Sequence, residues 1–280
     1  MKTRVLSGLI MLPLLIIVIF NGWVLYAGCL AISLMACYEF FRGFRELDIK
    51  PSYPIAVCSI VALYLLGMLK ELAEKDGDLA TSWMGLFRAE QWTYLWIFAT
   101  ILACLLYLFS IEKRKIDDAT VTITGVFYVG FFCYLIGELA LSEMNILVWL
   151  VIITAFGTDI CAYFAGVTMG KHKLCPKISP KKTWEGAIGG ILGSVILSGV
   201  FGLIFAKALL PHCLIIGFLA SIISMFGDLT ASIFKRKMGI KDYGNLIPGH
   251  GGILDRFDSV LFTGPVIYFY VMLVMGFAFV

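Results

Sequence analysis

Charge is what this sequence has least of. Asp, Glu, Lys and Arg make up 15% of its 280 residues, whereas soluble domains carry about 25%, and the mean hydropathy is +0.94. A water-soluble globular fold is excluded on that ground. Regular polar/apolar alternation is also missing: the apolar segments are continuous runs of Leu, Ile, Val, Phe, Ala and Gly, unlike the ~10-residue alternating strands of a membrane barrel. The eight cysteines, at 29, 37, 58, 104, 133, 161, 175 and 213, lack CxxC spacing and fall mostly inside apolar runs. They read as small packing residues, not as disulfides or metal thiolates. A net charge of +3 is too small to suggest nucleic acid as a partner. The soluble nucleotide and hydrolase motifs GxxxxGK[ST], GxGxxG, HExxH and GxSxG are all absent.

What is present is a series of apolar runs near the length that crosses a ~30 Å hydrocarbon core. They fall at roughly 6–21, 23–41, 53–69, 91–109, 120–141, 146–168, 187–209, 213–234 and 257–280. Backbone polar groups in lipid must be satisfied within each segment, so the fold class is all-α: a polytopic membrane protein of about nine transmembrane helices. Basic residues set its orientation, because short cytoplasmic loops are rich in Lys and Arg. With the N-terminus cytoplasmic and the C-terminus outside, all of the 22 basic residues except Lys70, Lys75, Arg88 and Lys207 fall on the inner side. Lys2 and Arg4 before an apolar run, with YAGC at 26–29, superficially suggest a cleaved leader. The run is long and a second follows at once, so the expectation is a retained span.

The two halves differ in kind. Residues 1–145 hold the first five spans, with little that is polar inside them beyond Glu39 and Glu138, and read as membrane scaffold. Residues 146–280 hold the other four spans and two cytoplasmic loops, 170–186 and 235–256, and read as the catalytic part. The longest outside loop, about 70–90, is mixed in charge and reads as a solvated connection. Glycines 186, 189, 190 and 193 with Ser194 give the seventh span a small-residue face for close helix contact.

Ionisable side chains inside spans mark function when they face a protein interior. Asp159 lies in the sixth span. In the eighth, Ser221, Ser224, Asp228, Ser232 and Lys235 recur every three or four residues, one polar stripe along a helix. Asp255 and Asp258 open the ninth span three apart, on one face at the depth of the top of the eighth helix, and with Asp228 they can form a carboxylate cluster. Clustered carboxylates repel unless a cation sits among them, and Mg²⁺ takes oxygen ligands while leaving room for waters and phosphates. Lys235, Arg236, Lys237, Lys241 and Arg256 lie on one loop, and Lys171, Lys173, Lys177, Lys181 and Lys182 on the other. Gly249, Gly251 and Gly252 around His250 permit backbone conformations closed to other residues. That turn is expected to aim N–H groups, and the positive end of the ninth helix, at a phosphate. The combination suits transfer of a phosphoryl or nucleotidyl group, where catalysis is mostly positioning and charge stabilisation.

The stretch SIFKRKMGIKDYGNLIPGHGGILDRFDS, 232–259, resembles the signature of the phosphatidate cytidylyltransferases, or CDP-diacylglycerol synthases. The matching positions are Ser232, Lys235, Arg236, Lys241, Asp242, Pro248, His250, Gly251, Gly252, Asp255, Arg256 and Asp258. DICAYFAGVTMGKHKLCPKISPKKTWEG, 159–186, is similar to the family's preceding block. The resemblance implies transfer of the cytidylyl group of CTP to phosphatidic acid, giving CDP-diacylglycerol and pyrophosphate. It further implies Mg²⁺ as cofactor at Asp228 and Asp255, with K⁺ as a second cation at the same place, and a homodimer in the bacterial inner membrane with its active site on the cytoplasmic side.

On this reading the catalytic group is Asp228, Asp255, Lys235, Arg256, His250 and Asp258. Ser232, Arg236, Lys241, Asp242, Gly251, Gly252, Asp159, Lys181 and Lys182 bind substrate. The nucleophile is already an anion and needs no strong base, so His250 reads better as a phosphate donor or turn-former, and Asp258 as a second metal ligand or an orienting group. Two alternatives stay open: a cation-coupled transporter, whose ionisable groups must reach both faces, and the same transfer onto a different lipid phosphate.

Overall fold

A computed structural model describes residues 18–75, 89–110, 112–246 and 251–276. Nine α-helices run through these residues: α1 Gly22–Arg45, α2 Tyr53–Lys75, α3 Ala89–Tyr107, α4 Ile116–Gly125, α5 Phe132–Leu141, α6 Val148–Met169, α7 Trp184–Phe205, α8 Leu210–Met238 and α9 Leu254–Val274. A π-helical stretch, Val126–Phe131, joins α4 to α5 into one span. Among the described residues seven helices are long and apolar enough to cross a membrane, and Gln91–Tyr107 is a shorter apolar helix. The all-α membrane architecture expected from composition is therefore what the chain adopts. The first expected span, 6–21, lies almost wholly outside the described residues, as do most of the 70–90 loop and the last four residues.

Loop 170–186 departs from the all-helical expectation. Within it Lys173–Cys175 (β1) and Ser179–Thr183 (β2) pair as a small antiparallel hairpin, pinned at both ends. The Trp184 amide donates to the His172 carbonyl at 2.9 Å, and Glu185 accepts the amides of Lys171 and His172 and meets His172 Nδ1 at 2.6 Å. Thr183 then caps α7, its side chain accepting the Gly186 amide at 3.1 Å, a standard N-terminal cap. Gly166 of α6 and Gly170 just after it lie against the same Thr183, so a larger residue at either place would push the hairpin off α6.

The glycine face of α7 packs on α6 as its sequence suggests: Gly189 sits on Ala165, Gly190 on Ala162 and Thr158, Gly193 on Cys161. Further contacts run from α7 to α8 and from α8 to α9, while α9 also packs against α5 and α6. The end of α8 follows from Gly239, whose φ of 72° closes the helix in the left-handed conformation, with Lys235, Arg236 and Lys237 in the last turn, where cations meet the negative helix end. The first half braces this end of α8 with aromatic rings. Phe234 lies 5.3 Å from Phe40, 6.1 Å from Phe44 and 5.9 Å from Tyr128, centroid to centroid. Tyr243, in the connection between α8 and α9, stands over Phe40 at 6.4 Å.

Candidate active site

Acidic residues from three helices lie where α6, α8 and α9 pack together: Asp159, Asp228 and Asp258 are in electrostatic reach of one another, and Asp255 is tied to Lys235 at the start of α9. Asp159 comes from α6, Asp228 from α8, and Asp255 and Asp258 from the first turns of α9. The eighth-span stripe is real: Ser221 and Ser224 are fully buried and Asp228 and Ser232 half-buried. Asp228 Oδ1 receives the Ser232 hydroxyl at 3.4 Å, and its other oxygen pairs with Lys182 of β2. The hairpin thus presents a lysine to the carboxylate that the stripe carries into the bundle. Asp258 is within electrostatic reach of Asp228, Asp159 and Lys235. Ser259 ties the α6 and α9 acids together, its amide donating to Asp258 Oδ1 at 2.8 Å and its hydroxyl to Asp159 Oδ2 at 3.4 Å.

Asp255 is held differently. Its Oδ1 receives Lys235 Nζ at 2.8 Å, and its Oδ2 takes two backbone amides, Tyr243 at 2.8 Å and Gly252 at 2.9 Å. Lys235 also stands 5.5 Å from the centre of the Tyr243 ring, a cation–π position. Tyr243 is itself buried, its hydroxyl donating to the Ala231 carbonyl at 3.2 Å, and burial pushes its ionisation well above the ordinary tyrosine range, so it stays a neutral donor. Asp255 therefore folds the connection between α8 and α9 back onto the end of α8.

The glycines of that connection serve the same end. Gly251 has a φ of 87°, and a Cβ there would stand 2.7 Å from Asp255 Oδ2. Gly252 lies against the carboxylate of Glu39, a residue of α1. Glu39 accepts the amides of Ile253 at 3.1 Å and Leu254 at 2.9 Å. The expectation that this turn offers its N–H groups to a phosphate is corrected on this point: the amides of Gly252, Ile253 and Leu254 are engaged by the protein's own carboxylates. Gly251 and Gly252 make room for those carboxylates.

A scan against known families matches the model of the Cytidylyltransferase family over residues 2–274. The chain belongs to the cytidylyltransferase family. Curated relatives agree along the whole length. It is similar to the phosphatidate cytidylyltransferase of Bacillus subtilis (strain 168), 32% identical over 275 residues covering 96% of this chain and 97% of the relative. It resembles that of Synechocystis equally, 32% over 305 residues, covering 97% of both. Against the phosphatidate cytidylyltransferase of Haemophilus influenzae identity rises to 46% over 126 residues, 43% of this chain and 44% of the relative.

For a member of this family the expected site residues divide by position. The structure gathers Asp159, Asp228, Asp258, Ser232, Lys182, Lys235 and Asp255. Arg256 is half-buried beside them in the first turn of α9. Lys181, Arg236, Lys241 and Asp242 are exposed around the rim, and Arg236 reaches the Ile178 carbonyl of the hairpin at 3.5 Å. His250 lies outside the described residues.

Two residues of the first half belong to the site and were passed over as scaffold. One is Glu39. The other is Tyr128, 7% exposed in the π-helical stretch, whose hydroxyl is buried without a hydrogen-bond partner and lies in electrostatic reach of Asp258 and Asp228. The signal available for Glu39 was its place as an acid inside an apolar run. For Tyr128 the sequence carried no such signal.

The donor set suits a divalent ion. Asp159, Asp228 and Asp258 lie in mutual electrostatic reach, with Lys182 paired to Asp228 and Lys235 within reach of Asp258, an excess of negative charge of the kind Mg²⁺ offsets. Among the described residues no group of three or more His, Cys, Asp or Glu forms a ready-made cage. Mg²⁺ needs none, since it usually takes one or two protein carboxylates and fills its octahedron with water and phosphate oxygens.

Proposed function

We propose that this chain transfers the cytidylyl group of CTP to phosphatidic acid, releasing pyrophosphate and leaving CDP-diacylglycerol in the membrane. The observation that carries the reading is the crossing of α6, α8 and α9, where a crowded set of carboxylates, two of them paired with Lys182 and Lys235, sits inside apolar helices. Family membership over residues 2–274 and full-length relatives bearing the name phosphatidate cytidylyltransferase support the same chemistry.

An oxygen of the lipid phosphate attacks the α-phosphorus of CTP in line. The bond to the bridging oxygen of the β-phosphate breaks, and pyrophosphate leaves with that electron pair. The attacking oxygen is an anion at neutral pH, so no side chain need remove a proton. Asp228 and Asp255 would hold Mg²⁺, with Asp258 and Asp159 in electrostatic reach of Asp228. The ion, when bound, neutralises phosphate oxygens and orients them. Lys182 and Lys235, each resting on a carboxylate, can turn to phosphate oxygens as negative charge arrives. Arg256, Arg236, Lys241 and Lys181 draw the triphosphate in from the rim. We place this rim on the cytoplasmic side, where the basic residues concentrate. Phosphatidic acid reaches the cluster from the bilayer past α6, whose Ile160 and Tyr163 are exposed next to Asp159.

A specific observation weighs against the transporter alternative. Among the described residues, a cavity of about 220 Å³ between α1, α5, α6 and α9 is lined by residues such as Leu25, Ile32, Ile136, Val151, Phe156 and Val260, and by no Asp, Glu, Lys, Arg or His. That cavity offers a cation no charged ligand. The test is to incubate the purified chain with labelled CTP, Mg²⁺ and phosphatidic acid, with isoprenoid-ether lipid phosphates in parallel. Label in CDP-diacylglycerol is expected, and preference for another lipid phosphate would move the acceptor while keeping the reaction. If no lipid acceptor takes label, the proposal fails.

A further inference from the structure

Glu39 is a buried carboxylate for which the transfer chemistry has no use. It sits in α1 and is 7% exposed, yet both its oxygens are spent on a helix more than two hundred positions away. Oε1 accepts the Ile253 amide at 3.1 Å and Oε2 the Leu254 amide at 2.9 Å. Gly244 and Gly252 are pressed on the same group, and a Cβ at Gly244 would stand 2.6 Å from Oε1.

The first amides of any helix lack partners within it, and leaving them bare in a water-poor interior is costly. Most helices solve this with a side chain at their own start, such as Ser, Thr, Asp or Asn. The residue at that place in α9 is Ile253, and no side chain there caps the helix. Asp255 takes the Gly252 amide and Glu39 the next two. A carboxylate at the positive end of a helix is favourable in its own right. Here it comes from α1, so the direction of the first turn of α9 is referred to α1 and not to its own loop.

We infer that Glu39 is a positioning residue for the active site: by clamping the Ile253 and Leu254 amides it sets the pose of the α9 first turn, and so aims Asp255, Arg256 and Asp258. The kinetic part rests on the function proposed above; the geometric part does not. Misplacing a catalytic group by about 1 Å costs on the order of 10²-fold in rate, so a small loosening of the clamp has a large kinetic effect.

The test uses the full-length chain in detergent, as E39Q and E39A. Glutamine keeps the shape and one acceptor but turns an NH₂ toward the second amide, whereas alanine removes both acceptors. Loss of kcat for CMP transfer is expected at roughly tenfold for E39Q and roughly 100-fold for E39A, with KM for CTP changed much less and the partial rescue by glutamine evident. Hydrogen exchange should quicken in peptides spanning 251–256 in both variants, while peptides from α6 and α7 exchange as in the parent protein. Unaltered exchange at 251–256, or wild-type kcat in E39Q, would overturn the inference. So would faster exchange spread evenly over α6 to α9, because Glu39 would then be a general brace. If the parent protein moves no label from CTP to any lipid, the functional proposal fails, and the exchange experiment still decides whether Glu39 sets the α9 turn.

Discussion

The helices before residue 145 and those after it bury polar groups in opposite ways. In the first half several are matched to a partner close by. Asp118 accepts the amides of Lys50 at 2.6 Å and Lys115 at 3.0 Å, Ser59 meets Thr100 at 2.6 Å, Trp96 donates to the Ser59 carbonyl at 2.8 Å, and Glu138 lies 3.8 Å from Lys70. In the second half like charges are crowded at one level, with Asp159, Asp228 and Asp258 in mutual electrostatic reach. Matched groups stabilise a helix bundle, and a crowd of carboxylates works against it unless a cation is part of the design. The difference teaches where chemistry is done. Glu39 and Tyr128 stand apart from that pattern, as first-half side chains directed to second-half work.

Replacement of residues on either side tests this contrast. The largest effect is expected at Asp228. Asp228→Asn should lower CMP transfer by on the order of 10³-fold, as removal of a strong charge-stabilising group does, while the purified protein keeps its elution profile; an active variant would sink the metal assignment. Asp255→Asn should combine two losses. It leaves Lys235 without its buried counter-charge, although the remaining amide oxygen can still accept the two backbone amides, so stability should fall by about 3–5 kcal/mol along with activity, visible as a lower melting temperature in detergent that Asp228→Asn does not show.

Phe40→Ala sharpens the contrast from the other side. It opens a cavity under Phe234 and Tyr243 and should cost about 3–5 kcal/mol, with thermal stability dropping more than kcat. Lys182→Gln leaves the fold alone and should raise KM for CTP by roughly tenfold, about 1.4 kcal/mol of binding, measured by initial rates.

The smallest effect is expected far from the site. Asp48 pairs with Lys115 at 2.9 Å, which holds its carboxyl below the ordinary aspartate range. Such a pair adds stability above the unfolded aspartate value of about 4 and loses it as pH falls through the lower folded value. Both partners are exposed, so water and salt screen them. Melting curves of Asp48→Asn and the parent protein should coincide at pH 7.

Much of this was legible in the residues. Asp228, Ser232 and Lys235 were placed on one helix face by their spacing alone, and the glycines of the seventh span were assigned to helix packing. Other features were not. Periodicity could not pair Lys182 with Asp228, because nothing in KISPKKTWEG specifies a hairpin tied down by Glu185 and Thr183. Nor could a Gly-rich turn reveal which anion it serves. The turn reads as a cradle for a ligand's phosphate, whereas Asp255 holds its Gly252 amide and Glu39 holds those of Ile253 and Leu254.

The chain's own order of residues determined the environment, the helical class and the set of groups available for catalysis. These depend on composition and on spacing within single helices, where lipid leaves the backbone no other choice. Tertiary structure alone decided which carboxylate meets which cation and that α1 aims α9. A hydrogen bond acts over about 3 Å, and residues 39 and 253 come that close only once the helices have packed.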